Sequence, residues 1–249
     1  MNDLNKTIFF KTIFNLRKPI LLKSIQKFQI GEEYNEEDGI SIKRNSEIQS
    51  IYKRFNSLSD HVDELKRVIR FMQVNRSKIS LLYNDDLFEE EYYRYHYENW
   101  VIRLVTIPDI CGKIGNLVLN LGIPEKYCNG YKFQDHDKVV STDSSNSIRQ
   151  LYKCIGSLMT DRHSKIHRGE LPNNPTERIL FFNDTNGAGV EISETLHQFT
   201  DNQLIELNQI IEERTQKVIA IVVSFLDSIT PYLHSRFEND QDSSSVSLD

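Results

Sequence analysis

The most constraining feature of the sequence is a stripe of apolar side chains between residues 93 and 121 that recur every three or four positions. This spacing places them all on one face of an α-helix. The stripe consists of Tyr93, Tyr97, Trp100, Leu104, Ile107, Cys111, Ile114, Val118 and Leu121. A helical face of this length needs other long helices to cover it, so the sequence predicts a helical bundle.

Three further segments have the same helical period. The first contains Ile48, Ile51, Phe55, Leu58, Val62, Leu65, Ile69 and Met72. The next contains Ile148, Leu151, Ile155 and Leu158, in a single predicted helix that opens at residues 144–146 and ends near Gly169. The last contains Leu204, Leu207, Ile211, Val218, Ile221, Phe225, Ile229 and Leu233. Since only 10 glycines and 6 prolines occur, tight turns are few. We therefore predict an all-α fold, an antiparallel bundle of four to five long helices.

The segments outside these stripes define the predicted domain organisation. Residues 1–45 form an N-terminal extension that packs on the bundle, and its stretch TIFFKTIF is compatible with a short strand, a short helix or irregular structure. Residues 46–237 form the helical domain, in which 122–144 is a connecting loop. Residues 238–249 carry no positive charge, which predicts a disordered acidic tail.

Charge and cysteine content limit the class of protein. A net charge of −6 excludes a generally basic protein that coats nucleic acid, but it leaves room for a local basic site. The three cysteines are an odd number and contain no CxxC pair, which is typical of a reducing cytoplasm. No apolar run reaches the length of a membrane span, so we expect a cytoplasmic protein without a membrane partner.

One strongly basic stretch, TDRHSKIHRGEL, lies where the third predicted helix ends. It contains Arg162, His163, Lys165, His167 and Arg168. Continued by one turn, the third apolar stripe reaches Arg162, which would lie on the core-facing seam. Burying a guanidinium costs several kcal/mol unless it is paired or lines a wet cavity. The position therefore predicts a crevice, or a face that meets a second molecule.

Three interpretations of this stretch are open. It can be a solvated helix end, where cations complement the helix dipole. It can be a metal site, because two histidines four residues apart can bind one ion, although Lys165 and two arginines crowd any cation there. It can serve phosphodiester chemistry, in which Arg162 and Arg168 hold a phosphate and a histidine moves a proton of the ribose 2′-OH or of the leaving oxygen.

The segment RHSKIH, from Arg162 to His167, resembles the Arg-x4-6-His motif of the HEPN superfamily. Its setting is similar too, because the motif lies late in a helix of an all-α bundle. The preceding long helix, NWVIRLVTIPDICGKIGNLVLNLGI, looks like the corresponding helix of several prokaryotic HEPN proteins. The resemblance covers roughly residues 46–235.

This resemblance implies a metal-independent endoribonuclease without a cofactor, whose homodimer brings two motifs to one composite cleft. Cleavage would leave a 2′,3′-cyclic phosphate and a 5′-OH. Position by position, Arg162 would bind the phosphate, His167 would be the acid or base, and His163 would orient the motif. Many such proteins are toxins or defence effectors, so the implied partners are RNA, a second copy, and an antitoxin or defence-system protein.

Further residues are predicted to support the site. Arg168 is a second phosphate ligand, and Lys165 is an RNA-backbone contact or a solvated side chain. Arg103 and Asp109 either line the cleft, as polar residues of this helix do in HEPN-like bundles, or are an exposed ion-pairing residue and part of the kink at Pro108. Two other classes of function remain open: a non-catalytic HEPN-like module that binds RNA, a nucleotide or a protein, and a plain helical scaffold.

Overall fold

The computed structural model of the protein describes residues 3–29, 39–74, 78–79, 87–168, 175–176 and 194–237. Within these ranges there are helices and no β-strand. The α-helices are α1 (Ile8–Gln29), α2 (Gly39–Met72), α3 (Leu87–Leu119), α4 (Gly130–Gln134), α5 (Asp143–Ile155), α6 (Leu158–Arg168) and α7 (Glu194–Phe237). Short 3₁₀ turns occupy Asp3–Lys6 and Glu125–Tyr127. The predicted all-α helical bundle is confirmed.

The apolar stripes form the core, as their spacing predicts. Every position of the α3 stripe is buried except Leu121, which follows the end of the helix. In α2 only Ile69 of the predicted stripe is partly exposed, and the stripes of α5 to α7 are buried throughout. The helices therefore form where their apolar faces can be covered, which is what stabilises helices of this length in water.

The N-terminal segment, for which the sequence leaves strand and helix open, is helical. Phe9 and Ile13 on one face of α1 are buried, and the Phe9 ring centroid lies 5.7 Å from that of Phe55 in α2. Thr12 Oγ1 lies 3.0 Å from His234 Nε2 in α7. The proposed boundary at residue 45 falls inside α2, and the tail 238–249 lies outside the described residues.

Two expectations about the middle of the chain are wrong. The single helix predicted from residue 144 to Gly169 is two helices, because Gly156 adopts a φ of +29° after Ile155. A residue without a Cβ tolerates this conformation, which ends α5 and lets α6 start afresh at Leu158. The predicted loop 122–144 contains α4, whose first turn is capped by the Asn129 side chain accepting from Lys132 N.

The described residues group into two compact units. The first draws on 1–60, 107–152 and 220–249, and the second on 61–106 and 153–219. In the first unit, Arg236 of α7 binds Glu47 Oε2 at 2.6 Å and donates to the carbonyl oxygens of Leu117 and Val118 at the end of α3. These bonds satisfy helix-terminal acceptors that otherwise lack partners.

In the second unit, the only tryptophan of the chain is fixed by a buried hydrogen-bond chain. Trp100 Nε1 donates to Thr215 Oγ1 at 2.9 Å, and the Thr215 hydroxyl donates to Ile211 O at 2.7 Å. Asn208 Nδ2 donates to Met72 O at 2.9 Å, which joins α7 to the end of α2. Polar groups thus specify how the apolar faces of this unit pack.

We expect Thr215→Val to lower the free energy of unfolding by about 1–3 kcal/mol, because valine keeps the shape but leaves the buried indole N–H without an acceptor. Urea unfolding followed by Trp100 fluorescence measures this loss. Thr106→Val is the matched control, since the Thr106 hydroxyl only donates to Ile102 O within its own helix. Equal stability of both variants and the wild type would contradict the assigned role of Thr215.

Helix α7 contains a long apolar stretch. Within Asp201–Phe237 an 18-residue window has a mean hydropathy of 1.4, so by length and composition this helix could cross a membrane. Of that window, 44% is buried inside the protein. Core helices of soluble proteins have the same properties, so this feature is weak evidence for a membrane span.

Candidate functional site

The basic stretch lies on α6 in the second unit, where the helical register sets the surroundings of each residue. Leu158 in its first turn is buried, and Arg162, one turn further, is half-buried on the same face. The helix break at Gly156 lies before α6 begins, so Leu158 and Arg162 stay on one face of the same helix. The sequence correctly places Arg162 on this seam.

The Arg162 guanidinium is the unusual group of the site. Its Nε is shielded from solvent and has no hydrogen-bond partner among the described residues. Arg44 and Arg103 share this feature, but Arg44 donates to Phe237 O and Arg103 lies near Glu64. Arg162 alone of the three makes no hydrogen bond or ion pair with a described residue. An unsatisfied buried donor of this kind costs about 1–3 kcal/mol, a cost that a bound anion would remove.

The other residues of the motif are described only in part. His163 is exposed on the next face of α6. The backbones of Lys165, His167 and Arg168 belong to α6, but their side chains lie outside what the structure describes. Because α6 remains helical through Arg168, Arg162 and His167 lie about 140° apart around one helix at 3.6 residues per turn.

Arg103, in α3 of the same unit, faces α2. Its Nη2 lies 3.7 Å from Glu64 Oε2, and Glu64 also pairs with Arg67. Arg103 Nε is shielded from solvent without a partner among the described residues. Glu64 was not among the predicted site residues. Its partner Arg103 lies on a different helix, so the pair becomes apparent only once α2 and α3 are placed side by side.

Asp109 lies in the first unit, where it anchors α4. Its Oδ1 accepts hydrogen bonds from Gly130 N at 3.1 Å and from Tyr152 OH at 3.1 Å. The Tyr131 and Tyr152 rings stack with centroids 3.9 Å apart and an interplanar angle of 11°. Burial, and then the Asp109 carboxylate, raise the pKa of Tyr152. The phenol therefore stays protonated and donates to Asp109.

Close backbone approach explains why a glycine follows the Asn129 cap. A Cβ on Gly130 would lie 2.4 Å from Tyr152 Oη and 2.9 Å from Pro108 O. Tyr152 and Gly130 were not among the predicted site residues, since their contacts with Asp109 span 43 and 21 residues. Only the NG dipeptide before α4 signals a turn here.

Among the described residues of either unit, no group of three or more His, Cys, Asp or Glu side chains could hold a metal ion. The side chain of His167 lies outside the described set. Cys111 and Cys128 are buried as free thiols, and burial raises the pKa of both.

The chain matches a model of a known protein family. The family model described as HEPN_Cthe2314-like HEPN matches residues 52–229, which contain Arg103, Asp109 and the whole of α6. Helix α1 precedes the matched region. No curated protein and no solved structure matches the chain.

Proposed function

Because the chain belongs to the HEPN family, we propose that it is a metal-independent endoribonuclease that cleaves RNA at a site containing Arg162 and His167. A HEPN domain by itself is compatible with an RNase or with a nucleotide-binding module. The observation that carries the narrower proposal is the half-buried Arg162, whose Nε has no partner among the described residues. A phosphodiester would supply the missing acceptor.

The proposed reaction is internal transesterification. The ribose 2′-oxygen attacks phosphorus, the bond from phosphorus to the 5′-oxygen breaks, and a 2′,3′-cyclic phosphate and a 5′-OH form. His167 accepts the proton of the 2′-OH, and the leaving 5′-oxygen takes a proton from the resulting imidazolium or from water. Arg162 stabilises the negative charge that grows on the phosphate oxygens. DNA lacks the 2′-OH and would not be cut.

The helical register favours a site shared between two copies of the chain. Arg162 and His167 lie about 140° apart on a continuous helix, so both reach one phosphate most directly if the two come from facing copies. A two-fold axis would place each Arg162 opposite the partner's His167 and create two equivalent half-sites. We therefore propose a homodimer as the active form.

The cellular setting is proposed from the family alone. HEPN domains are typically soluble, which supports a cytoplasmic location. The proposed setting is a toxin or defence system, in which an antitoxin or partner protein holds the RNase in check or activates it.

RNA cleavage is expected to proceed unchanged in excess EDTA, because guanidinium and imidazole supply charge stabilisation and proton transfer without an ion. Purified protein is incubated with total RNA and with tRNA, with and without EDTA, beside the His167→Ala variant. Cleavage by the wild type alone in both conditions supports the proposal. Strong inhibition by EDTA, restored by added divalent ions, would favour the metal interpretation of His163 and His167.

A phosphate-binding module is the alternative that the same arginine supports. Such a protein would need Arg162 but not His167. It would bind oligonucleotides without cutting them, and only Arg162→Ala would weaken that binding.

A further inference from the structure

Three aromatic side chains of the second unit surround one imidazole. The Phe71 ring at the end of α2 stacks on His96 with centroids 4.7 Å apart and an interplanar angle of 30°. Tyr92 and Tyr95, on α3, meet the same imidazole edge-on at 4.5 Å and 5.3 Å. Phe71, Tyr92, Tyr95 and His96 are called the His96 cluster below.

The His96 cluster is not part of the core. The segment EEEYYRYHYENW contains two sets of aromatic residues on different faces of α3. Tyr93, Tyr97 and Trp100 are buried. By contrast, Phe71 is 40% exposed and Tyr95 is 61% exposed. Large aromatic surfaces held in water are costly, and they mark binding sites more often than packing.

The cluster is nevertheless held in place. Tyr92 OH donates to Phe71 O at 3.2 Å, and Tyr93 OH donates to Val74 O at 2.7 Å, so α3 is fastened to the end of α2 at this point. Partial burial lowers the pKa of His96, so its ring is neutral at pH values above that lowered pKa. A rigid, uncharged stack is suited to contact with another flat ring.

Arginines occur on both helices that carry the cluster. Arg70 is exposed and forms no ion pair with another described residue. On α3, His96 and Arg103 are seven residues apart and share a face, about 10 Å from each other along the helix axis. The same interval separates Phe71 from Glu64, the partner of Arg103 on α2. One edge of the α2–α3 pair therefore carries aromatic rings at one end and a guanidinium at the other.

We propose that the His96 cluster is a base-stacking platform for single-stranded RNA. Aromatic rings bind bases of any sequence through their faces, and neighbouring arginines hold the backbone. Duplex RNA is a poor ligand, because its bases are already stacked inside the helix. This inference rests on the proposed function, since it names the substrate of the same HEPN domain as unpaired RNA.

The test measures binding separately from cleavage. A fluorescent single-stranded oligoribonucleotide with 2′-O-methyl groups, which cannot undergo transesterification, is titrated with full-length protein and followed by anisotropy. Tyr95→Ala and Phe71→Ala should each weaken binding by about tenfold, in line with the loss of one stacked base. Tyr95→Phe should bind like the wild type, because it keeps the ring.

The matched control is Tyr127→Ala, which removes a tyrosine 59% exposed in the first unit, outside the cluster. It should bind like the wild type. Circular dichroism confirms that each variant is folded, which their exposed positions favour. An unlabelled duplex should compete far less well than the unlabelled single strand.

Three other outcomes would overturn the platform. Wild-type affinity in Tyr95→Ala and Phe71→Ala would mean that the rings do not contact RNA, and equal competition by duplex would mean binding through the backbone alone. No binding by the wild type would assign the cluster to a protein partner. Binding that depends on the rings without cleavage of unmodified RNA would overturn the nuclease proposal but not the platform.

Discussion

The Arg162→Ala protein is expected to lose RNA cleavage by about 10³-fold or more, while remaining folded. Arginine is the proposed ligand of the reacting phosphate, and its half-buried Nε finds no acceptor among the described residues. Removing it therefore deletes transition-state stabilisation and leaves no buried partner unpaired. Arg162→Lys, which keeps the charge but loses the planar fork, should recover only part of the activity.

Initial rates of cleavage of a fixed oligoribonucleotide, with circular dichroism on each variant, measure this loss. Arg149→Ala is the control, since Arg149 is exposed in the first unit and binds only Asn146 Oδ1 and Val140 O. It should cleave at the wild-type rate. Wild-type activity in Arg162→Ala would remove Arg162 from the site.

Mixing two inactive variants tests the shared site. In a mixed dimer of Arg162→Ala and His167→Ala chains, a half-site built from both copies carries either two substitutions or none. Subunit exchange should then restore about a quarter of the wild-type rate, because half of the dimers are mixed and each has one intact half-site. No recovery would place Arg162 and His167 of one chain in the same site.

The second large effect is on stability. Asp109→Ala should lower the free energy of unfolding by about 3 kcal/mol, because Tyr152 OH and Gly130 N–H both lose their acceptor. Asp109→Asn keeps an oxygen at the same place and should lose less. Tyr152→Phe removes one of the two bonds and should fall between Asp109→Ala and the wild type.

Urea unfolding followed by circular dichroism measures these changes, because Trp100 reports on the other unit. The same variants also test the predicted catalytic support by Asp109. An Asp109→Ala protein that is fully folded at low temperature should cleave RNA normally if Asp109 only anchors α4. A folded Asp109→Ala variant that has lost cleavage would show that Asp109 supports catalysis.

Local spacing in the sequence was sufficient to identify the main helices. The stripes of α2, α3 and α7 are long, and their period of three and four residues leaves no other regular structure that buries them. Gly156 could not be identified as the end of α5 in the same way. Whether a glycine adopts positive φ depends on tertiary packing, and the apolar stripe passes from Ile155 to Leu158 without a change of spacing.

Contacts between distant segments were beyond sequence reasoning. The spacing of α3 separates Tyr93, Tyr97 and Trp100 from the other face, but nothing local indicates that Phe71 stacks on His96 across 25 residues. Similarly, Asp109 is brought to Tyr152 and Gly130 by the fold of the first unit. The half-buried position of Arg162, by contrast, follows from local spacing, because Arg162 lies one helical turn after the buried Leu158.

The roles of the motif residues are predicted from the family and from the helical register. The structure describes the guanidinium of Arg162 and the exposure of His163, while the side chains of Lys165, His167 and Arg168 lie outside the described set. Chemistry at His167 is therefore best tested through the products of the reaction.

The most direct test of the account uses two oligonucleotides of one sequence in EDTA: an all-RNA strand, and the same strand with a single 2′-deoxy residue at the mapped cleavage site. We predict that wild-type protein cuts the RNA to a 2′,3′-cyclic phosphate and a 5′-OH, and leaves the substituted position uncut. His167→Ala should cut neither. Cleavage at the 2′-deoxy position, or products with a 5′-phosphate and a 3′-OH, would contradict transesterification at Arg162 and His167.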